Sequence, residues 1–172
     1  MSDELEVQRL ILTYARAADR LDGPLCRSVF ADDADIRLGR VYQGGPDGFV
    51  EVMLGFMGQM AATRHQVSNM LVAFAAPDRA ALEAQVTAWH RIETPAGTRV
   101  LEVFGRYLTR AEKREGAWRI TAHAELIDWG EERAADAGWY EADAEMEKGR
   151  RDRDDASYSY LPPLADAPGP RP

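Results

Sequence analysis

The chain of 172 residues carries only three histidines, His65, His90 and His123. Histidine is the side chain best suited to moving protons near neutral pH. All three fall in segments whose β-branched and aromatic content predicts strands. His65 stands in ATRHQVSNM, where a helical segment hands over to the first long strand. Strand alternation puts His65, Val67, Asn69 and Leu71 on one face. An apolar face that carries only His and Asn is a pocket wall or a core with polar guests. Unpartnered buried polar groups cost about 1–3 kcal/mol, so such guests need a task or a mate. Asp19, in YARAADRLD at the end of the first predicted helix, is the candidate mate. A helix dipole disfavours an acid there, and a broken local rule is a hint of function. The other reading of Asp19 is a surface acid paired with Arg16 or Arg20, and each histidine taken alone reads equally well as a half-buried strand residue with a satisfied hydrogen bond.

An Asp–His pair can abstract a proton from carbon or oxygen without a third catalytic group. The carboxylate orients the imidazole and stabilises the imidazolium. Tyr14 could donate a hydrogen bond to a carbonyl or a leaving oxygen, or could simply belong to the apolar stripe of its helix. A metal site is the competing use of three histidines and an acid, but their spacing is long and lacks a motif such as H-E-x-x-H. No metal and no cofactor are expected. GGPDG fits neither a dinucleotide loop nor a P-loop, and no G-x-S-x-G elbow occurs. The single cysteine, Cys26, lies in GPLCRSVF and reads as helix packing.

Positioning these residues falls to an α+β arrangement. Residues 2–21 predict a helix. Ser2 is a plausible N-cap, Asp3, Glu4 and Glu6 favour the first turn, and Val7, Leu10, Ile11, Tyr14, Ala18 and Leu21 form the apolar stripe. Asp22-Gly23-Pro24 stops it, and a short helix runs through Phe30. DADIRLGRVYQG predicts two short strands about Gly39, with Tyr42 a substrate-binding candidate in the second. Pro46 opens a third helix, GPDGFVEVMLGFMGQMAA, whose Phe49, Val52, Met53, Phe56 and Met60 form the buried stripe. Four long strands follow at 65–75, 82–94, 98–111 and 117–129, joined by hairpin-length breaks. Helices segregated from antiparallel strands mean α+β, and a long twisted sheet curls around the helices on its inner face. Phe56, Trp89, Phe104 and Tyr107 are candidate pocket walls. Alternation places Val86, Ala88 and His90 on one face and Trp89 on the other.

Residues 1–130 read as one domain and 131–172 as an extension. EKGRRDRDD is strongly charged and LPPLADAPGPRP is proline-rich, so the last ten residues or so are expected to be loose. Trp139, Tyr140, Tyr158 and Tyr160 suggest that part of the extension docks. The net charge of -8 argues against nucleic acid and anionic membranes as partners. The acidic N-terminus is not a secretory signal, no window suits a membrane span, and one cysteine fits a reducing compartment. A cytoplasmic protein acting on a small molecule is expected.

These residues are similar to the SnoaL-like branch of the nuclear-transport-factor-2-like (NTF2-like) superfamily, which includes scytalone dehydratase, bile-acid dehydratase, hexachlorocyclohexane dehydrochlorinase and ketosteroid isomerase. The resemblance runs from about Glu4 to Trp129. It is carried by Tyr14-Ala-Arg-Ala-Ala-Asp19, by His65-Gln-Val-Ser-Asn69 and by WRITAHAELIDW, with a weaker echo in GRRDRDDASY. It implies a cystatin-like cone-shaped barrel, with a curved antiparallel sheet wrapped around three N-terminal helices and the pocket inside. It also implies a homodimer or homotrimer. By resemblance, Asp19 orients His65, His65 is the base, Tyr14 assists the substrate or leaving group, and His90 takes the place of a second catalytic histidine of scytalone dehydratase. His123 stands where many relatives carry Arg, which removes a permanent cation and points towards oxygen elimination more than dehalogenation. The implied activity is a cofactor-independent lyase of the dehydratase type on a small apolar, aromatic substrate. The alternatives are a formaldehyde-releasing lyase on lignin-derived diarylpropanes, an isomerase or cyclase, and a non-catalytic binding or assembly module.

Overall fold

A computed structural model describes residues 2–136 and 138–161. The proline-rich segment expected to be loose lies outside them, apart from Leu161. Helix α1 (Asp3–Arg20) begins where the Ser2 hydroxyl accepts the Leu5 N–H at 3.4 Å. It ends at Leu21, whose φ of 52° is the left-handed cap that returns an N–H to the Ala17 and Ala18 carbonyls. Its predicted stripe is buried from Val7 to Ala18. Helix α2 (Gly23–Ser28) is capped by Asp22, whose carboxylate accepts the Leu25 N–H at 3.1 Å. Phe30, expected to close that helix, instead opens strand β1 (Phe30–Leu38). Strand β2 (Tyr42–Gly44) folds back on β1, and helix α3 (Pro46–Met57) follows. This third helix stops five residues before the predicted Ala62, since Gly58 ends it and the chain turns into β3.

The long strands are β3 (Ala62–Ala76), β4 (Arg79–Thr94), β5 (Gly97–Arg114) and β6 (Ala117–Ala134). The turn between β5 and β6 puts Glu115 and Gly116 at φ 53° and 80°, the paired positive angles of a tight hairpin matched to strand twist. Strand order is β2-β1-β6-β5-β4-β3. Two features differ from the expected antiparallel barrel. Strand β1 runs parallel to β6. The sheet also stays open, with β2 and β3 at its edges.

The concave face is made by alternation. In β4, Ala80, Leu82, Ala84, Val86, Ala88 and His90 are buried in turn. Register shifts at Phe104/Gly105 and Arg110/Ala111 in the β5–β6 ladder bend the sheet. At the first of these, a Cβ on Gly105 would lie 2.3 Å from the Leu126 carbonyl oxygen, so only glycine fits the bend. Helix α1 packs on β3 and β6 inside the curve. No helix among the described residues is long and apolar enough to cross a membrane.

Beyond the sheet lie two short helices, α4 (Gly138–Ala142) and α5 (Ser157–Tyr160). The segment between them folds back on the ends of α1 and α3. Asp22 accepts from Arg153 and from the Tyr158 hydroxyl, both at 2.9 Å. The Tyr158 ring lies under the guanidinium groups of Arg16 and Arg153. Of the four aromatics expected to dock, Tyr158 and Tyr140 make such cation contacts, whereas Trp139 and Tyr160 are largely exposed.

Candidate active site

Helix α1 and strand β3 meet at Asp19 and His65. The Asp19 Oδ1 stands 2.7 Å from His65 Nδ1 and accepts from the Thr63 hydroxyl at 3.0 Å, while Oδ2 accepts the His65 backbone N–H at 3.0 Å. The imidazole is 4% exposed and the carboxylate 14%. An ionised carboxylate only accepts, so the hydrogen sits on Nδ1 and the Nε2 lone pair is free. Asp19 is thus no surface acid paired with Arg16 or Arg20. Three donors converge on it, which is how a carboxylate is held at a fixed angle behind a ring.

In front of the ring lies a cavity of about 570 Å³, walled largely by Tyr14, Phe49, Met53, Val103 and Tyr107. Its size and apolar lining suit a small organic molecule. His65 and His90 both reach it, with ring centroids 5.6 Å apart in an edge-on arrangement. The β3–β4 register explains this: Thr63 lies opposite His90 and His65 opposite Ala88, so the two histidines share the inner face. Burial, helped by His65, lowers the His90 pKa to about 4. His90 is therefore neutral at pH 7 and its Nδ1 has no partner. Burial also raises the phenols of Tyr14 and Tyr107 well above 10, which keeps both as hydrogen-bond donors. The mouth is rimmed by Val41, Val52, Phe56 and Ile127, all exposed. In α3, the predicted buried stripe thus splits: Phe49 and Met53 are buried, and Val52 and Phe56 form the rim.

Three expected binding residues are elsewhere. Asn69 lies on a bulge between Ser68 and Leu71, with φ 48°, and bonds Gln85 at the surface. The extra residue breaks alternation, so His65 and Asn69 do not share a face. Tyr42 donates to the Gly45 carbonyl at 2.6 Å and packs on Phe49, tying β2 to α3 behind the cavity wall. His123 is fully buried beside Tyr14 and Tyr107, with Nδ1 at 3.0 Å from the Thr109 hydroxyl. It lies behind the tyrosines rather than on the cavity wall, and burial lowers its pKa to about 4. Of the candidate walls, Phe104 sits on the outer face, stacked on Trp129 at 3.9 Å, and Trp89 lies on the same outer side. Cys26 is buried in the core, its thiol pushed up to about 12 by burial. Among the described residues no group of three metal-ligating side chains is assembled.

Two residues near the site were not expected. Glu125 lines the cavity directly across the ladder from Tyr107. Its position two residues after inward-facing His123 is a signal that alternation alone could have supplied. Arg151 comes from the C-terminal segment. Its guanidinium donates to the carbonyls of Asp19, Met57 and Met60 and to the Thr63 hydroxyl, at 2.7–3.2 Å. It links the ends of α1 and α3 to the hydroxyl that holds Asp19. Arg151→Ala leaves several half-buried acceptors without a donor, and is expected to lower unfolding stability by roughly 2–3 kcal/mol. Urea denaturation checks this, and an unchanged midpoint would refute it.

An open α+β sheet curled around helices, with its cavity inside, is the cystatin-like architecture of the NTF2-like superfamily. The SnoaL-like domain model matches residues 1–124, and the chain belongs to that family. No curated protein matches in sequence. Among solved structures, a type 2 hexachlorocyclohexane dehydrochlorinase is similar with TM-score 0.70 and 18% identity, over 78% of this chain and 93% of that one. A protein from Novosphingobium aromaticivorans described as a scytalone dehydratase gives TM-score 0.66 and 16% identity, over 77% and 88%. A cystatin-like protein from Nostoc punctiforme gives TM-score 0.60 and 17% identity, over 73% and 91%.

Proposed function

We propose that the protein is a cofactor-independent lyase that eliminates a small group, in the manner of a dehydratase, from a small aromatic molecule held in the cavity. The observation that carries this reading is the His65–Asp19 contact at 2.7 Å at the wall of an apolar cavity. A binding or assembly module has no use for a carboxylate aligned behind an imidazole whose free nitrogen faces a cavity. In this reading His65 Nε2 takes a proton from substrate carbon, and Asp19 holds the ring and stabilises the imidazolium. Tyr14 donates a hydrogen bond to a substrate carbonyl as negative charge develops on it, and Tyr107 donates to the Tyr14 oxygen behind it. His90, neutral, donates through a ring N–H. Phe56 and its neighbours at the rim admit the aromatic part.

A dehydrochlorinase and a dehydratase among the structural neighbours support elimination as the reaction class. Isomerisation and formaldehyde release can use the same base: the first returns the proton to another atom of the substrate and loses nothing, and the second takes a hydroxyl proton and breaks a C–C bond. Incubation with a panel of aryl and steroid alcohols, followed by mass spectrometry, separates them. Loss of water or another small fragment is the expected result, and conversion at unchanged mass would replace the lyase with an isomerase. The proposal extends to a homodimer or homotrimer, for which Leu126 and Trp129, both exposed, offer apolar surface.

A further inference from the structure

Elimination of an oxygen group needs an acid as well as a base, because hydroxide is a poor leaving group. The groups named so far supply none. His90 is neutral at pH 7, and the two buried phenols hold their protons. His65 starts the reaction unprotonated on Nε2. Arg40, at the exposed β1–β2 turn on the rim, is a permanent cation and not a proton donor. Asp19 faces the back of His65.

Glu125 is the ionisable cavity group left without a role. Strand β6 places it on the inner face beside Tyr107, in the cavity that His65 and His90 also line. Among the described residues no donor or permanent cation engages its carboxyl; burial raises its pKa, and His65 is the one group that acts in the opposite sense. A carboxyl left unpaired on an apolar wall favours its protonated form, and that form is a general acid.

We propose that Glu125 is the catalytic acid of this cavity, and that the substrate therefore carries an oxygen leaving group, a hydroxyl, rather than a halide. As the C–H bond breaks, His65 Nε2 takes the proton and the bonding pair becomes the new C=C bond. The C–O bond breaks with its pair on oxygen, which takes the Glu125 proton and leaves as water. The products on the protein are an imidazolium and a carboxylate. Transfer of one proton from His65 to Glu125, directly or through solvent, restores the starting state. This inference rests on the His65 reading.

A matched pair of aryl β-hydroxy and β-acetoxy ketones separates the two, since acetate departs without a proton. Glu125→Gln keeps the shape and cannot donate a proton as an acid. It is expected to slow the hydroxy ketone by about 10²-fold or more and to leave the acetoxy ketone within a few-fold of wild type. His65→Ala is expected to lose both. If Glu125→Gln slows both ketones equally, or neither, Glu125 is not the acid and His65 keeps its role. If His65→Ala retains both activities, the base has been misassigned. A readout that needs no turnover completes the test. The infrared difference spectrum of wild type against Glu125→Gln at pH 7 is expected to show a protonated carboxyl, and a carboxylate signature alone would overturn the proposal even if wild type converts neither ketone.

Discussion

Asp19→Asn is expected to lower turnover by roughly 10²–10⁴-fold while the protein stays folded. The substitution is chosen because the carboxylate has three partners. Asp19→Ala would strip acceptors from the Thr63 hydroxyl and the His65 backbone N–H, confusing lost chemistry with lost stability. Asparagine fills the same volume, and its one oxygen still accepts. Its NH₂ group, turned towards His65 Nδ1, favours the tautomer with the hydrogen on Nε2. That tautomer cannot take a proton where the cavity lies, and the imidazolium loses its counter-charge. His65→Ala removes the base itself and should match or exceed the loss. The measurement is kcat on the substrate identified by product analysis, with circular dichroism to show that both variants fold. Proton NMR adds a readout free of substrate: a strongly hydrogen-bonded Nδ1–H resonance should be present in wild type and absent from both variants. Full activity in both would remove the assigned pair from the mechanism.

Stability should fall as pH drops from 7 to 5, by about 2 kcal/mol for each of two buried imidazoles. His90 and His123 have pKa values near 4 in the fold, against 6.5 when exposed. Between these limits the unfolded chain binds more protons than the native one. Stability is therefore complete above 6.5 and lost progressively as pH falls towards 4. Asp155 is held well below the usual carboxylate range by the Ser157 hydroxyl and the Arg150 N–H, so its own contribution disappears only at lower pH. Glu125 works in the opposite direction, since burial makes it take up a proton more readily in the fold. Urea unfolding at pH 7 and pH 5 measures the sum. His123→Phe fills the core between Tyr14 and Tyr107 without a titrating group, and should remove about half of the dependence. The same pH dependence in wild type and His123→Phe would show that the His123 imidazole is solvated.

What the sequence disclosed was what periodicity governs. The α1 stripe, the misplaced acid at its end and the histidine opening β3 are short-range patterns, and they point to Asp19 and His65 as a pair. Asn69 does not share the His65 face because one extra residue between Ser68 and Leu71 breaks the alternation there, and nothing in SNMLV announces a bulge. Tyr42 looked available because its bond to the Gly45 carbonyl depends on how β2 enters α3. His123 points inward, but alternation cannot say whether an inward residue meets a cavity or a tyrosine. The parallel pairing of β1 with β6 joins segments some ninety residues apart, and local patterning does not encode such partners. Arg151 was hidden in a run of like residues, where composition reads as solvated charge.

The Arg151 hydrogen bond to the Asp19 carbonyl spans 132 positions of the chain. During synthesis, helix α1 emerges early, yet its last turn lacks this anchor until nearly all the described protein has left the ribosome. Contacts of such sequence separation form late because loop closure must precede them. The curved sheet can therefore collapse first and fix the end of α1 beside His65 last, and a nascent chain stalled before position 151 would be compact but without this anchor.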